Sequence, residues 1–233
     1  LSVTTFVVAG DPATYNAGDT ATIAGVGTVL LASDGSYTFT PDADWNGTVP
    51  AITYTLSDGE GGSDTADLVI TVDPVNDAPV ASGTIADQSD DDAGVVAGVA
   101  TSSFFSDIDG DVLGYSASGL PAGLSIDPVT GVISGTIDNS ASQGGPASDG
   151  VYSVTVTADD GNGGTVDQTF TWTVANPAPV ANDDAASTDE DVAVSGNVIG
   201  SGGAGDVADS DADGDVLSVT TFVVAGDPAT YNA

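Results

Sequence analysis

The sequence predicts an all-β protein made of tandem β-sandwich domains in an extended array. Three observations carry this: apolar residues alternate with Thr and Ser at period two, Asp-Gly and Asn-Gly pairs separate the alternating runs, and a long segment recurs unchanged. Tyr37 and Phe39 alternate with Ser36, Thr38 and Thr40, and Ile52, Tyr54 and Leu56 with Thr53, Thr55 and Ser57. Tyr152, Val154 and Val156 alternate with Ser153, Thr155 and Thr157; Val166, Phe170, Trp172 and Val174 share one face of a further run. Successive strand side chains point to opposite faces, so each run reads as a half-buried strand. Threonine fills the outward positions with a β-branched side chain that carries no charge. Asp34-Gly35, Asn46-Gly47, Asp58-Gly59 and Asp160-Gly161 are hairpin-turn pairs. Short strands packed this densely into about 100 residues suit a sandwich. No amphipathic helix is expected, and residues 87–94 are too acidic and glycine-flanked to form one.

Residues 1–17, LSVTTFVVAGDPATYNA, return unchanged as residues 217–233. A long exact period reads as one full repeat with a short overlap, so the chain is expected to be a mature internal slice of a longer tandem array. Residues 1–77 then read as the C-terminal part of a domain whose opening strands are missing. Residues 78–175 read as a complete domain, and 176–233 as the N-terminal part of the next copy of the first. Ser57-Asp-Gly-Glu-Gly-Gly-Ser63 matches Asp159-Asp-Gly-Asn-Gly-Gly-Thr165, so the two domains read as diverged copies of one plan.

The 233 residues include 35 Asp and Glu and no Lys, Arg, His, Cys or Met, for a formal charge of −35. Nucleic acid and anionic membranes are excluded as direct partners, because no side chain can neutralise a phosphate. The carboxylates repel one another unless salt or bound cations screen them. Disulfides cannot staple the domains; bound Ca²⁺ can take that role. No apolar run reaches membrane-spanning length, and no basic segment opens a signal peptide. Hydrophobic content of 40% is enough for true cores. Trp45 and Trp172 are expected in or at the edge of those cores. Asn46-Gly47-Thr48 is formally a glycosylation sequon, but an Asn-Gly turn accounts for it equally well. Asp34 and Asp42 read as turn residues.

The remaining acids gather at two joints. Asp73-Pro-Val-Asn76-Asp77-Ala-Pro-Val80 is stiffened by two prolines and is followed downstream by Asp107-Ile-Asp109-Gly-Asp111. Asn176-Pro-Ala-Pro-Val-Ala-Asn182-Asp183-Asp184 precedes Asp211-Ala-Asp213-Gly-Asp215 in the same way. Asp-x-Asp-Gly-Asp resembles part of an EF-hand loop, but the fit fails. Counted from Asp107, the glycine position holds Val112 and the twelfth holds Ser118; counted from Asp209, the twelfth is Thr220, with no flanking helices.

The order of motifs instead resembles the cadherin-like family, over nearly the whole chain. Asp73-Pro-Val-Asn76-Asp77-Ala-Pro is similar to a cadherin end-of-domain linker, Asp107-Ile-Asp109 to the Asp-x-Asp pair of the following domain, and Asp160-Gly-Asn-Gly to the acidic turn before its last strand. The stretch from Leu120-Pro-Ala-Gly to Gly135 resembles dystroglycan-type cadherin-like and Ig-like repeats of bacterial surface proteins. Ser33-Asp-Gly-Ser-Tyr-Thr-Phe-Thr-Pro41 with Asp44-Trp-Asn-Gly47 resembles the repeats of giant bacterial adhesins. The resemblance implies Ca²⁺ at each joint. The first would use Asp73, Asn76 and Asp77, then Asp107, Asp109 and Asp111, then Asp159 or Asp160. The second would use Asn182 with Asp183 or Asp184, then Asp211, Asp213 and Asp215, with the next period's equivalent of Asp58 as last ligand. Glu190 resembles the glutamate near a cadherin domain's start, a position where the first complete domain has Asp90-Asp91-Asp92. The linker Ala175-Asn176-Pro177-Ala178 is poorer in acids, which implies fewer or weaker ions at that joint.

Ca²⁺ takes six to eight hard oxygens in flexible geometry, and two domains with a linker can supply them. The function expected is a Ca²⁺-rigidified extender of a secreted bacterial adhesin, biofilm protein or cell-surface filament. Its partners would be neighbouring repeats of the same chain or head-to-tail copies. An alternative is a carbohydrate- or surface-binding sandwich within the same array; exact repetition favours the extender. An enzyme is not expected, because only carboxylates and hydroxyls remain as catalytic groups and the acids lie on glycine-rich turns.

Overall fold

The computed structural model describes residues 1–201 and 205–233. It divides the chain into two compact units, Leu1–Asp77 and Ala78–Ala233. The only helical turns among the described residues are two short 3₁₀ segments, Ser102–Phe104 and Ala141–Gln143.

In the first unit the strands are β1 (Ser2–Val8), β2 (Tyr15–Asn16), β3 (Thr20–Ile23), β4 (Gly27–Leu31), β5 (Tyr37–Pro41), β6 (Gly47–Thr48), β7 (Ile52–Ser57), β8 (Ser63–Leu68) and β9 (Thr71–Val72). A four-stranded sheet, ordered β2-β1-β7-β8, accompanies a three-stranded sheet, β3-β4-β5, and the short pair β6-β9. All pairings are antiparallel. Val3, Phe6 and Val8 all face inward although Val3 and Phe6 are an odd number apart. The β1–β7 register shifts between Val3 and Thr5, and that bulge returns Phe6 to the inner face. The core is Val3, Phe6, Val8, Ala21, Val29, Leu31, Val49 and Ile52, with Tyr15, Phe39, Trp45, Tyr54 and Leu56 packed on it. Trp45 meets Phe39 edge-on at 6.2 Å, at the core's edge. The sequence predicts a domain without its opening strands here, and the unit nonetheless encloses this core by itself. It keeps an open apolar groove lined by Val3, Leu31, Tyr37, Tyr54, Leu56 and Leu68.

The second unit contains β10 (Val80–Ala81), β11 (Gln88–Asp91), β12 (Val95–Ala100), β13 (Phe105–Ser106), β14 (Gly114–Ser118), β15 (Leu124–Ile126), β16 (Val132–Thr136), β17 (Val151–Asp159) and β18 (Thr165–Ala175), then β19 (Thr221–Val223) and β20 (Thr230–Asn232). A four-stranded sheet runs β11-β18-β17-β14 and a three-stranded sheet β12-β16-β15. The β17–β18 hairpin is the longest and follows the predicted alternation: Tyr152, Val154, Val156, Phe170, Trp172 and Val174 are buried and their neighbours are not. Trp172 is completely buried within a core that includes Ile133, Ile137, Phe105 and Val96. The acidic stretch from residue 87 holds β11, which pairs parallel to β18 from Gln88↔Trp172 to Asp91↔Ala175. Beyond Ala175, an isolated bridge, Val180↔Ser210, joins two of the described residues before β19–β20 follow as a hairpin. No helix among the described residues is long and apolar enough to cross a membrane.

Candidate metal centre

The site begins as a backbone problem. Residues 107–111 turn through Gly110, at φ 80°, and leave peptide N–H groups without strand partners. Asp107 takes them: its Oδ1 accepts from the N–H of Asp109 at 2.9 Å and of Asp111 at 3.3 Å. That wrap folds the three carboxylates inward, and an oxygen of each of Asp107, Asp109 and Asp111 lies within 4.8 Å of the others. Asp107 Oδ2 is buried and has no hydrogen-bond partner. An unsatisfied buried acceptor costs about 1–3 kcal/mol, and more when charged. Among the described residues this is the one group of three or more acids brought so close.

A second turn closes on the first. Residues 160–164 connect β17 to β18, and Asp160 is buried. Its Oδ1 accepts from Asn162 N–H at 2.7 Å and Gly164 N–H at 2.9 Å. Asn162 then donates through Nδ2 to Asp111 Oδ2 at 2.8 Å, tying the two acidic turns together. Asp159 is exposed and accepts from Gly161 N–H at 2.7 Å. Gly164 has no room for a side chain, since a Cβ there would sit 2.7 Å from Ala78 Cα. The chain thus enters the domain directly beside the acidic turn.

The same β-hairpin turn appears in the first unit. Asp58 Oδ1 accepts from Glu60 N–H at 2.8 Å and Gly62 N–H at 2.9 Å, and these bonds hold its carboxyl below the ordinary 3.8. Asp58 is exposed where Asp160 is buried. Asp73 and Asp77 line one cleft of that unit with Asp42, Asp44 and Trp45. Asn76 is exposed. Asp42, expected from the sequence to be an ordinary turn residue, therefore shares a cleft with linker acids.

The second acidic loop copies the first. Asp211 Oδ1 accepts from the N–H of Asp213 at 3.3 Å and of Asp215 at 3.4 Å. Asp213 is buried, and neither of its carboxylate oxygens has a hydrogen-bond donor. Contact with the Asp211 carboxyl pushes Asp213 above the ordinary 3.8, and burial adds to the rise; Asp211 is lowered in turn. Asn139 Nδ2 donates to the Asp213 carbonyl at 3.3 Å.

The register around the two loops matches as well. Val80 pairs with Ser106, just before Asp107; Val180 pairs with Ser210, just before Asp211. By this correspondence Asn176 aligns with Asn76, and Pro177 stands where the first linker has Asp77. Asn182 donates its backbone N–H to Asp209 Oδ1 at 2.7 Å and its Nδ2 to the Ala208 carbonyl at 2.8 Å. Asp184 Oδ1 accepts from Val207 N–H at 2.6 Å. Asp183 and Glu190 are exposed. Of the acids at 90–92, Asp90 Oδ2 accepts from the Trp172 indole N–H at 3.0 Å, and Asp92 is buried with Oδ1 on Ser142 N–H at 2.8 Å. The role of Asn162 and the burial of Asp160 leave no signal in the sequence, because both depend on the meeting of two turns far apart in the chain.

Residues 4–74 match the family model of the bacterial cadherin-like domain, and residues 78–175 that described as "Putative Ig domain". Along the chain the match to the bacterial cadherin-like model is thus followed by the match to the Ig-like one. The linker Val75-Asn-Asp77 falls between the two matches. Among solved structures, the human desmocollin-1 ectodomain is 18% identical over 78% of this chain and 35% of its own, with a TM-score of 0.41. Drosophila N-cadherin EC1-4 is 12% identical over 75% of this chain and 42% of its own, at 0.37. A "putative alpha-galactosidase/melibiase" of Bacteroides fragilis is 20% identical over 42% of this chain and 19% of its own, at 0.32. The chain thus spans well under two thirds of each of these structures. No curated protein sequence matches it.

Proposed function

We propose that the chain is a structural extender of a secreted bacterial adhesin or surface filament, stiffened by Ca²⁺ at its domain joints and without enzymatic activity. The observation that carries this is the Asp107–Asp109–Asp111 triad, whose oxygens converge within 4.8 Å with a buried, unpartnered oxygen on Asp107. Hard carboxylate oxygens suit Ca²⁺ and leave no ligand for a softer metal. Asp160 and Asn162 hold the triad from the opposite turn, and the upstream linker residues Asp73, Asn76 and Asp77 would complete the coordination. The loop Asp211–Asp215 repeats the backbone wrap around its first aspartate, with Asn176 in the linker position. That the second linker has Pro177 in place of an acid supports a weaker site there. Extracellular modules bind Ca²⁺ at about 10⁻⁴–10⁻³ M, so these joints would load outside the cell and stay empty in cytosol.

The test is a Ca²⁺ titration by calorimetry, with thermal melts in Ca²⁺ and in EDTA. Saturable binding, with a Tm that rises with Ca²⁺ and hardly responds to Mg²⁺, is expected. Identical melts in Ca²⁺ and EDTA would refute the proposal.

A further inference from the structure

The domain of residues 78–175 is threaded so that an opening strand and its last strand lie side by side. β11 and β18 form the one parallel pair among the described strands, in register from Gln88↔Trp172 to Asp91↔Ala175. The pairing runs past the ladder at both ends. Ahead of it, Gln168 Oε1 accepts from Ile85 N–H at 3.2 Å, and Gln168 Nε2 donates to the Gly83 carbonyl at 3.3 Å. Asp87 Oδ1 accepts from Thr171 N–H at 2.7 Å, one position before the ladder begins. Within the ladder, Asp90 Oδ2 accepts from the indole of the buried Trp172 at 3.0 Å. Beyond it, Asp92 N–H donates to the Ala175 carbonyl at 2.9 Å. Residues 83–92 are thus bonded along residues 168–175 in one run, with both segments pointing the same way.

The chain enters at one end of this run and leaves at the other. A Cβ on Gly164 would sit 2.7 Å from Ala78 Cα, so entry is beside the start of β18. β18 then takes eleven residues to reach Ala175, about 35 Å at about 3.2–3.4 Å per residue. Tension between the domain's two ends draws β11 toward its N-terminal end and β18 toward its C-terminal end. In parallel strands these pulls are opposed, so the strands must slide past one another. Sliding loads every rung at once, whereas parting the same strands from one end breaks the rungs singly. Each hydrogen bond contributes only about 0.5–1.5 kcal/mol net, so resistance comes from their failing together and not from the strength of any one. We infer that β11 and β18, with the added rungs of Asp87 and Gln168, are a load-bearing clamp that keeps this domain folded when the chain is stretched. The inference rests on the extender reading for its purpose and uses none of its cation.

The experiment uses the full chain, which has no cysteine, so a pair of introduced cysteines sets where force is applied. V75C/A178C places handles at exposed positions on either side of the domain and loads the clamp in sliding. V75C/T165C pulls the entering segment away from the adjacent start of β18 and parts the pair from one end. Both are stretched in an optical trap in EDTA. D87A removes one rung. D127A is the control, because it removes two backbone acceptor bonds from a turn outside the clamp. The domain is expected to yield at severalfold higher force in V75C/A178C than in V75C/T165C. D87A should lower the first force and change the second far less, while D127A lowers the urea midpoint and leaves both forces nearly unaltered. Forced unfolding follows the unfolding rate and not the equilibrium, so force and urea midpoint are separate readings. Equal forces in the two directions, or a first force that D87A does not lower or that D127A lowers as much, overturn the clamp. Failure of the calcium proposal would show separately, as melts of the unaltered chain that ignore Ca²⁺.

Discussion

Asp107 does two jobs with two oxygens. One organises the loop by accepting two backbone N–H groups, and the other is left buried without a donor. Substitution D107N keeps the first acceptor and removes the charge. Ca²⁺ affinity depends on the number of charged ligands, so it should fall at this loop by about 10-fold or more, equivalent to about 1.4 kcal/mol. In EDTA the same variant should be as stable as the parent or more so, because one repelling charge is gone. Calorimetry and paired melts separate these two effects; a loss of stability in EDTA with unchanged affinity would make Asp107 a purely structural residue. Asp127 offers a contrast. Its Oδ1 accepts from the N–H of Val129 at 2.9 Å and Thr130 at 2.8 Å, which lowers its carboxyl below 3.8. A depressed acid contributes stability above its unfolded value and loses it as pH falls through the folded one. The melting temperature of D127N should therefore fall less steeply than the parent's as pH drops below 3.8. Such local roles are legible in the sequence, since Asp-x-x-Thr and Asp-x-Asp-Gly-Asp place acceptor and donors within a few residues. Asn162 is not, because its partner Asp111 is distant in sequence.

Elements with strong periodicity are legible in the sequence; those made by tertiary pairing are not. The β17–β18 hairpin, its buried Trp172 and its Asp-Gly turn follow from alternation alone. β11 does not, because Gln88–Asp91 carries no apolar alternation and looks like a solvated acidic loop. Its acids are used by its neighbour: Asp87 Oδ1 accepts from Thr171 N–H at 2.7 Å, and Asp90 Oδ2 from the Trp172 indole at 3.0 Å. A parallel strand recruited by a buried N–H donor leaves no local mark. Removing that acceptor in D90A strands the indole N–H in the core and should cost about 1–3 kcal/mol, read as a lower urea midpoint of the second unit. D91A, on an exposed side chain, should change it far less. The turn after β17 yields a further prediction. G164A would drive a methyl group against Ala78 and Asp160. It should lower both the stability of this domain and Ca²⁺ affinity, whereas G163A, with open space around it but a φ of 110°, should affect stability alone.

At the scale of the whole chain, 35 acids and no basic side chain make charge the dominant perturbation of an otherwise ordinary pair of cores. The order of the two family matches is legible because linker, Asp-x-Asp loop and final-hairpin turn follow one another in the sequence. The second joint offers two oxygen-bearing stretches, Asn176 in the acid-poor linker and Asn182-Asp-Asp184 beyond it, and the bridge Val180↔Ser210 aligns Asn176 with Asn76. Two kinds of cation can relieve the repulsion, and they are distinguishable. Monovalent salt acts through screening, with a Debye length of about 30 Å at 0.01 M and about 3 Å at 1 M, so in EDTA the melting temperature should climb steadily with NaCl. Ca²⁺ acts at the acidic loops, so its effect should saturate near about 10⁻³ M, where its contribution to ionic strength is negligible. In saturating Ca²⁺ the slope against NaCl should flatten, because charges engaged by a bound ion no longer need the ionic atmosphere. Substitution D107N/D213N should remove most of the Ca²⁺ step while leaving the EDTA salt slope almost intact, since it discards only two of the 35 acids. If the Ca²⁺ and NaCl curves superimposed at equal ionic strength, the loops would be no more than turns in a polyanion.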